Sequence, residues 1–324
     1  MQRLSLEQFD DLSEHYDEIV LRTPDIDRFC TSSFWVLPSA VHLMGNLEAA
    51  IYRESDSFVV LLYAQKSDSH RVLVPLDALW CLPCPLVGSE VHRSVELFSN
   101  VCASLGTGAV VFLSGIPVGS SLMKALTEAL GKKYTLSYGH VTRRYLVNLG
   151  NGVEGFLSRR SMSFRRSIRR AEARARDAGL VFEDRDSGTP EEEDLNFARI
   201  LDVERRSWKG TKGVGIDREP MLSFYREMNR RLAARGARRL AFARLDGEDV
   251  GYVLGARFHE TYRGLQFSFD ERYAKLGLGN LCQIREMRRT ADAGMSTYDL
   301  GTEVEYKKRW ADEVFGTLSL YFQL

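Results

Sequence analysis

Apolar positions along the 324-residue chain recur with two periods, and they divide it into segments of different kinds. In the first half, Ser57 to Ala64 and Arg71 to Pro75 are short apolar runs of strand type, and a polar turn is expected around Lys66 to Ser69. Gly108 to Leu113 reads as a further strand, whereas Ser120 to Leu130 has helical spacing and is closed by Gly131. Helices and strands alternate without an internal repeat, which predicts an α/β or α+β domain over residues 1–150.

The second half has a denser pattern. Gly155 to Gly179 is predicted as one long helix, with Phe156, Met162, Ile168, Ala171 and Ala175 as a thin buried stripe. Thr189-Pro190-Glu191-Glu192 supplies a capping hydroxyl, a proline at the first helical position and a capping-box glutamate, so a helix runs from there to about Arg206. Another starts near Asp217 and carries Met221, Leu222, Tyr225, Met228 and Leu232 along one side before Gly236. A meander follows: Arg239 to Leu245, the turn Asp246-Gly247, Val250 to Phe258, a turn at His259-Glu260, and Tyr262 to Phe269. A glycine-containing loop, a helix from about Asn280 to Ala293, a strand over Ser296 to Leu300, a helical stretch over Glu303 to Trp310 and a strand over Thr317 to Gln323 complete a second domain, residues 151–324.

Composition changes this picture little. Formal net charge is zero, with residues 1–150 mildly acidic and the rest mildly basic, which argues against a general nucleic-acid or membrane binder. The acidic Met1 to Val20 segment lacks a signal-peptide pattern, and five cysteines suit a reducing compartment, so a cytoplasmic enzyme is expected. Cys81 and Cys84 form a lone pair in a proline-rich turn, and the six histidines are dispersed, so no metal is expected. Neither a nucleophile elbow, a Walker A loop nor a dinucleotide fingerprint is present. One charge run stands out: eight arginines between Arg159 and Arg176 against the single acid Glu172, either a solvated helix face or a reader of anionic ligands.

The chemistry concentrates where GLQFSFD runs through ERYAKLGLG into NLCQIREMRRTADAG. Unpaired N–H groups at a helix mouth form a seat for a pyrophosphate, and glycines let the backbone approach it. This stretch resembles the GNAT (Gcn5-related N-acetyltransferase) pattern, in which a strand enters an Arg/Gln-x-x-Gly-x-Gly/Ala loop and a helix. Ala274-Lys275-Leu276-Gly277-Leu278-Gly279 occupies the six positions, with Ala274 where the family has Arg or Gln. Across residues 155–313 the sequence is similar to the subgroup related to CelD and to the FemABX peptidyltransferases, through FLSRRSMSFRRSIRRAEARARDAG, ERRSWKG, FSFDERYAKLGLGN and YDLGTEVEYKKRWADE.

The resemblance implies tandem GNAT-like domains, each a mixed twisted sheet flanked by helices, with the first degenerate. It implies acyl transfer from acetyl-CoA or another acyl-CoA to an amine or hydroxyl of a small-molecule, peptide or saccharide acceptor. Phe267, Ser268 and Phe269 would pair with the acyl-pantetheine, and Gly277, Leu278, Gly279 and Asn280 would cradle the pyrophosphate, with Lys275 adding charge. Tyr306 would protonate the leaving thiolate, Lys307 would steady an oxyanion, and Asp270, Glu303 or Glu305 would supply the base. Trp208, Lys209, Tyr262, Gln266 and Asp299 are expected to line the acceptor side. Two rivals stand beside this reading: an aminoacyl transferase that draws on aminoacyl-tRNA, for which the arginine run would serve as the tRNA contact, and a binding protein that keeps the fold without turnover.

Overall fold

The computed structural model describes residues 1–45, 47–67 and 70–324, so the turn expected around Lys66 to Ser69 lies in part outside the described residues. The chain forms two compact units, residues 1–143 with 315–324 and residues 144–314.

In the first unit the strand order is Gln2–Leu4, Glu48–Glu54, Ser57–Ser67, His70–Pro75, Ala109–Pro117 and Glu313–Gln323. The expected strands at 57–64, 71–75 and 108–113 are therefore present, each within a residue or two of its start. The last strand, read from sequence as part of the second domain, pairs instead with Ala109–Pro117. Its alternate residues Leu318, Leu320 and Phe322 are buried, and Phe322 stacks on Tyr134 and meets Phe98 edge-on, so its apolar face belongs to this core. All five cysteines are free thiols.

The second unit begins within strand β1 (Ser137–Asn148). The single helix expected over 155–179 is two: α1 (Gly152–Ser158) and α2 (Met162–Asp177). Ser161 takes an extended conformation and its hydroxyl accepts from the Phe164 N–H, starting a new helix, while Asp312 draws Arg159 and Arg160 out of the helical line. The buried stripe of α2 is Phe164, Ile168, Ala171 and Ala175; Met162, expected in it, is 67% exposed.

Next come β2 (Val181–Asp184), α3 (Pro190–Arg206), capped by Thr189 with Glu192 in the predicted capping box, the short α4 (Trp208–Thr211) and α5 (Met221–Ala234). The meander follows as β3 (Arg238–Leu245), β4 (Glu248–Phe258) and β5 (Thr261–Phe269). Asp246 and Gly247 both take positive φ, 50° and 84°, the geometry that lets two residues turn a hairpin. Then α6 (Leu278–Asp292) leads to β6 (Thr297–Thr302). The helical stretch expected over Glu303 to Trp310 is only a 3-10 turn at Glu305–Lys307, with Trp310 buried against Phe156 and Phe164.

Strand order in this unit is β1-β6-β5-β4-β3-β2, antiparallel except for the parallel pair β5 and β6. Helices α2 and α6 pack on one face, where Ala171, Ala175, Leu278, Leu281 and Cys282 meet Ala241, Ala243, Val250 and Val253. Helices α3 and α5 cover the other, burying Phe197, Ile200, Phe224 and Met228. Among the described residues no helix is long and apolar enough to cross a membrane.

Candidate functional site: a forked strand pair beside a glycine-led helix

Strands β5 and β6 pair over three residues only, Thr261↔Thr297, Tyr262↔Tyr298 and Arg263↔Asp299, and then part. Just past the fork β5 carries a bulge: Leu254 faces Gln266 while Gly255 faces Gly264, leaving Leu265 as the extra residue. The Asp270 N–H donates to the Val250 carbonyl. By the alternation of an antiparallel ladder, the backbone groups of Ser268 and Gln266 then also point to β4, and those of Phe269 and Phe267 point into the gap that β6 has left. Phe267 and Phe269 therefore offer main-chain partners to a ligand, whereas Ser268, placed with them from sequence, spends its backbone on β4 and buries its side chain.

The glycine loop lies on the α2 and α6 face of β5. Gly277 has φ +79°, a left-handed conformation that disfavours side chains. Its amide donates to Ala274, and its carbonyl accepts from Asn280 and Leu281. Helix α6 consequently begins at Leu278, two residues before the sequence expectation, with no side-chain cap. The first-turn N–H groups of Leu278 and Gly279 have no helical acceptor to reach, and the positive end of the helix dipole is at this mouth. A Cβ on Gly277 would stand 3.1 Å from Ala171 Cβ and 3.2 Å from an Arg174 guanidinium nitrogen, so α2 lays a cation directly on the loop. Gly279 rests against the rings of Phe267 and Phe269, tying the loop to the open segment of β5. Lys275 is exposed, and Asn280 accepts from Arg309 through its side chain.

Tyr306 faces the gap from the far side, its ring 6.4 Å from that of Phe267 and edge-on to it. The hydroxyl is pushed up to about 12 by the surrounding protein, which keeps it protonated at neutral pH, and 43% exposure leaves it in contact with water. The Lys307 ammonium donates to the Thr302 carbonyl, on the part of β6 that has left β5, and lies close to Gly301. Burial, with help from the Arg263 charge and against that of Asp299, pushes this ammonium down to about 8.

Several expected site residues have other employment. Asp299 is buried between Arg144 and Arg263 and accepts from the Gly301 N–H, so it holds the fork together and is out of a substrate's reach. Tyr262 is fully buried and stacked on Tyr298. Asp270 is bonded to Arg206 and Arg272; burial would raise its carboxyl, but the Arg272 hydrogen bonds and both guanidinium charges outweigh that and hold it below the usual carboxylate range, a poor setting for a base. Glu303 is exposed and accepts from the Tyr145 hydroxyl at 2.8 Å, and Glu305 pairs with Lys308. Trp208 is 46% exposed. Lys209 and Gln266, far apart in sequence, meet at 2.7 Å on the α3 and α5 face.

Sequence reading missed Arg144, Arg263 and Glu204, and of these only Glu204 left a trace, as the acid of ERRSWKG; Arg174 belongs to the arginine run already singled out. Among the described residues no group of three or more His, Cys, Asp or Glu is placed to hold a metal ion.

Residues 162–309 match the family model described as "Acetyltransferase (GNAT) domain". No curated protein matches the chain in sequence. Among solved structures, FemX is 12% identical with a TM-score of 0.65, the alignment covering 95% of each chain. A conserved protein of unknown function from Bacteroides thetaiotaomicron is 10% identical with a TM-score of 0.64, over 99% of this chain and 98% of that one. L-PGS from Bacillus licheniformis is 13% identical with a TM-score of 0.56, over 95% and 90%. The matched segment contains the forked strand, the Gly277 loop and Tyr306, and residues 162–309 are thus a domain of the GNAT acetyltransferase family in a chain with the fold of FemX.

Proposed function

We propose that the second unit transfers an acyl group, acetyl being the simplest, from an acyl-CoA to an amine or hydroxyl of a small-molecule, peptide or saccharide acceptor. The observation that carries this reading is the fork itself: an edge of β5 with main-chain groups to spare runs beside an uncapped, glycine-led helix. A pantetheine arm can add to that edge as a strand does, while the diphosphate takes the Leu278 and Gly279 amides, with Arg174 as the nearest cation.

In the proposed reaction the acceptor nitrogen attacks the thioester carbonyl carbon, and negative charge develops on its oxygen. Lys307, whose ammonium feels the neighbouring Arg263 charge, would favour that charge. As the C–S bond breaks, Tyr306 gives its hydroxyl proton to the departing sulfur and regains one from water. The proton lost by the acceptor goes through solvent to Glu303, an exposed carboxylate that accepts from the Tyr145 hydroxyl.

Calorimetric titration with acetyl-CoA tests the donor. Binding in the micromolar range, about −8 kcal/mol, supports it, and no binding of acetyl-CoA or a longer acyl-CoA overturns it.

A second reading, aminoacyl-tRNA as donor, is favoured by one observation. Arg165, Arg166, Arg169, Arg170, Arg174 and Arg176 of α2 take part in no ion pair among the described residues, so the basic run is not neutralised by neighbouring acids. Steeply salt-dependent binding of tRNA, abolished by replacing four of these arginines and accompanied by no acyl-CoA binding, would put it first.

A further inference from the structure

On the face of β5 opposite the glycine loop a buried polar chain links three helices to the fork. Glu204, near the end of α3, has no exposure at all. One of its oxygens accepts from the Tyr252 hydroxyl at 2.9 Å; the other accepts from the Ile216 N–H and lies 3.3 Å from the Lys209 ammonium. Lys209, 15% exposed, donates to Gln266 Oε1 at 2.7 Å, and Gln266 Nε2 donates to the Tyr225 hydroxyl at 2.8 Å. Both ends of the Gln266 amide are thereby occupied, and its rotamer and flip state are fixed.

Local sequence is committed to this arrangement. Ser207 caps α4 by accepting from the Lys209 and Gly210 amides, which sets the turn that points Lys209 inward. A side chain at Gly210 would come within 2.4 Å of the Glu204 carbonyl, and one at Gly215 within 3.1 Å of the Glu204 carboxylate. Gln266 is the residue between the bulged Leu265 and Phe267, whose main chain faces the gap. An isolated bulge disrupts its ladder and would loosen the strand there. A carboxylate sealed from water, neutralised by one ammonium and tied through that ammonium to the strand, does the opposite.

We infer that Glu204, Lys209 and Gln266 are positioning residues that lock the bulge of β5, so that the segment Gly264–Phe269 is held ready to pair with the donor. The lock itself is independent of the donor's identity; its service to acyl-CoA rests on the reading proposed above. Lys209 and Gln266 thus support the ligand-facing strand from behind, in place of the direct acceptor contacts expected of them from sequence.

Hydrogen exchange read by mass spectrometry on the full chain decides the structural part. Lys209→Met should speed exchange in the peptide spanning Gly264–Phe269 about tenfold, and leave Arg238–Leu245 unchanged. Gln266→Leu should do the same, Gln266→Glu, which still accepts from Lys209, should not, and the Lys209→Met/Gln266→Leu pair should exceed neither single change, the mark of one shared interaction. Unchanged exchange at 264–269, uniform acceleration throughout the unit, or multiplying effects in the pair would overturn the proposal; if Lys209→Met fails to fold, Gln266→Leu against Gln266→Glu decides it. With acetyl-CoA as probe and water as the acyl acceptor, Lys209→Met should slow release of CoA by about tenfold while the dissociation constant of acetyl-CoA stays within about threefold. Faster exchange with an unaltered release rate would overturn the role in the reaction. Should the wild-type chain bind no acetyl-CoA, the donor reading fails while the exchange experiment still rules on the lock.

Discussion

The two ends of β5 obey different rules. From Thr261 to Arg263 the strand is paired on both edges, with Tyr262 stacked on Tyr298 and Arg263 bonded to Asp299. From Gly264 to Phe269 it is paired with β4 and no longer with β6. One strand thus holds a closed segment and the open segment proposed to bind the donor, and the difference is made by charge and register. The closed end is fixed by a carboxylate shared between two arginines, the open end by a bulge and by what packs above and below it.

Breaking the closed end should have the largest effect. Arg263→Met leaves Asp299 with half of its neutralisation in a buried place, and should cost about 3–5 kcal/mol of stability, read by urea unfolding. Asp299 is itself held low, since burial raises its carboxyl but the charges of Arg144 and Arg263 override that. Its stabilising contribution is present above the unfolded carboxylate value of about 4 and is lost as pH falls through the folded one, so the variant, which keeps only Arg144 on Asp299, should show a shallower acid-side slope than wild type below pH 4.

At the open end, Gly277→Val strains a left-handed residue and presses on Ala171, and should weaken acetyl-CoA about a hundredfold in calorimetry with a smaller loss of stability. Tyr306→Phe should lower turnover by about ten- to a hundredfold and leave donor affinity nearly unchanged, as expected of a proton donor on the solvent side of the gap. Arg174→Ala should weaken acetyl-CoA only about three- to tenfold, and that loss should shrink as salt rises, since the guanidinium is exposed. The smallest effect concerns Lys307. Its ammonium is lowered on folding to about 8, so the unfolded chain holds the proton more tightly and stability gains from this group as pH rises from about 8 to 10.4; Lys307→Met should flatten that rise.

Much of the open end and its glycine loop is legible in the sequence, because their parts are local. The Asp246-Gly247 turn sets the β3–β4 hairpin, Gly277 and Gly279 mark the loop, and Tyr306 follows a short strand. The closed end was not legible. Arg144, Arg263 and Asp299 come from three strands up to 155 positions apart, and a buried arginine reads in one dimension like a solvated one. For the same reason Asp270 reads in one dimension as an available base, whereas in the fold Arg206, 64 positions away, donates to it. The helix break at Ser161 has a different origin: apolar spacing continues across it, while the Ser161 hydroxyl's cap on the Phe164 amide and the pairing of Arg159 and Arg160 with Asp312 mark the change from one helix to the next.

The contact between Gly277 and Ala171 bears on which sequences can carry this site at all. With 3.1 Å between Ala171 Cβ and the place a Gly277 Cβ would fill, neither position can grow unless the other element withdraws. Residues 171 and 277 therefore form a single mutational unit that joins the basic helix to the loop, and substitutions at one are constrained by the other across more than a hundred positions of chain.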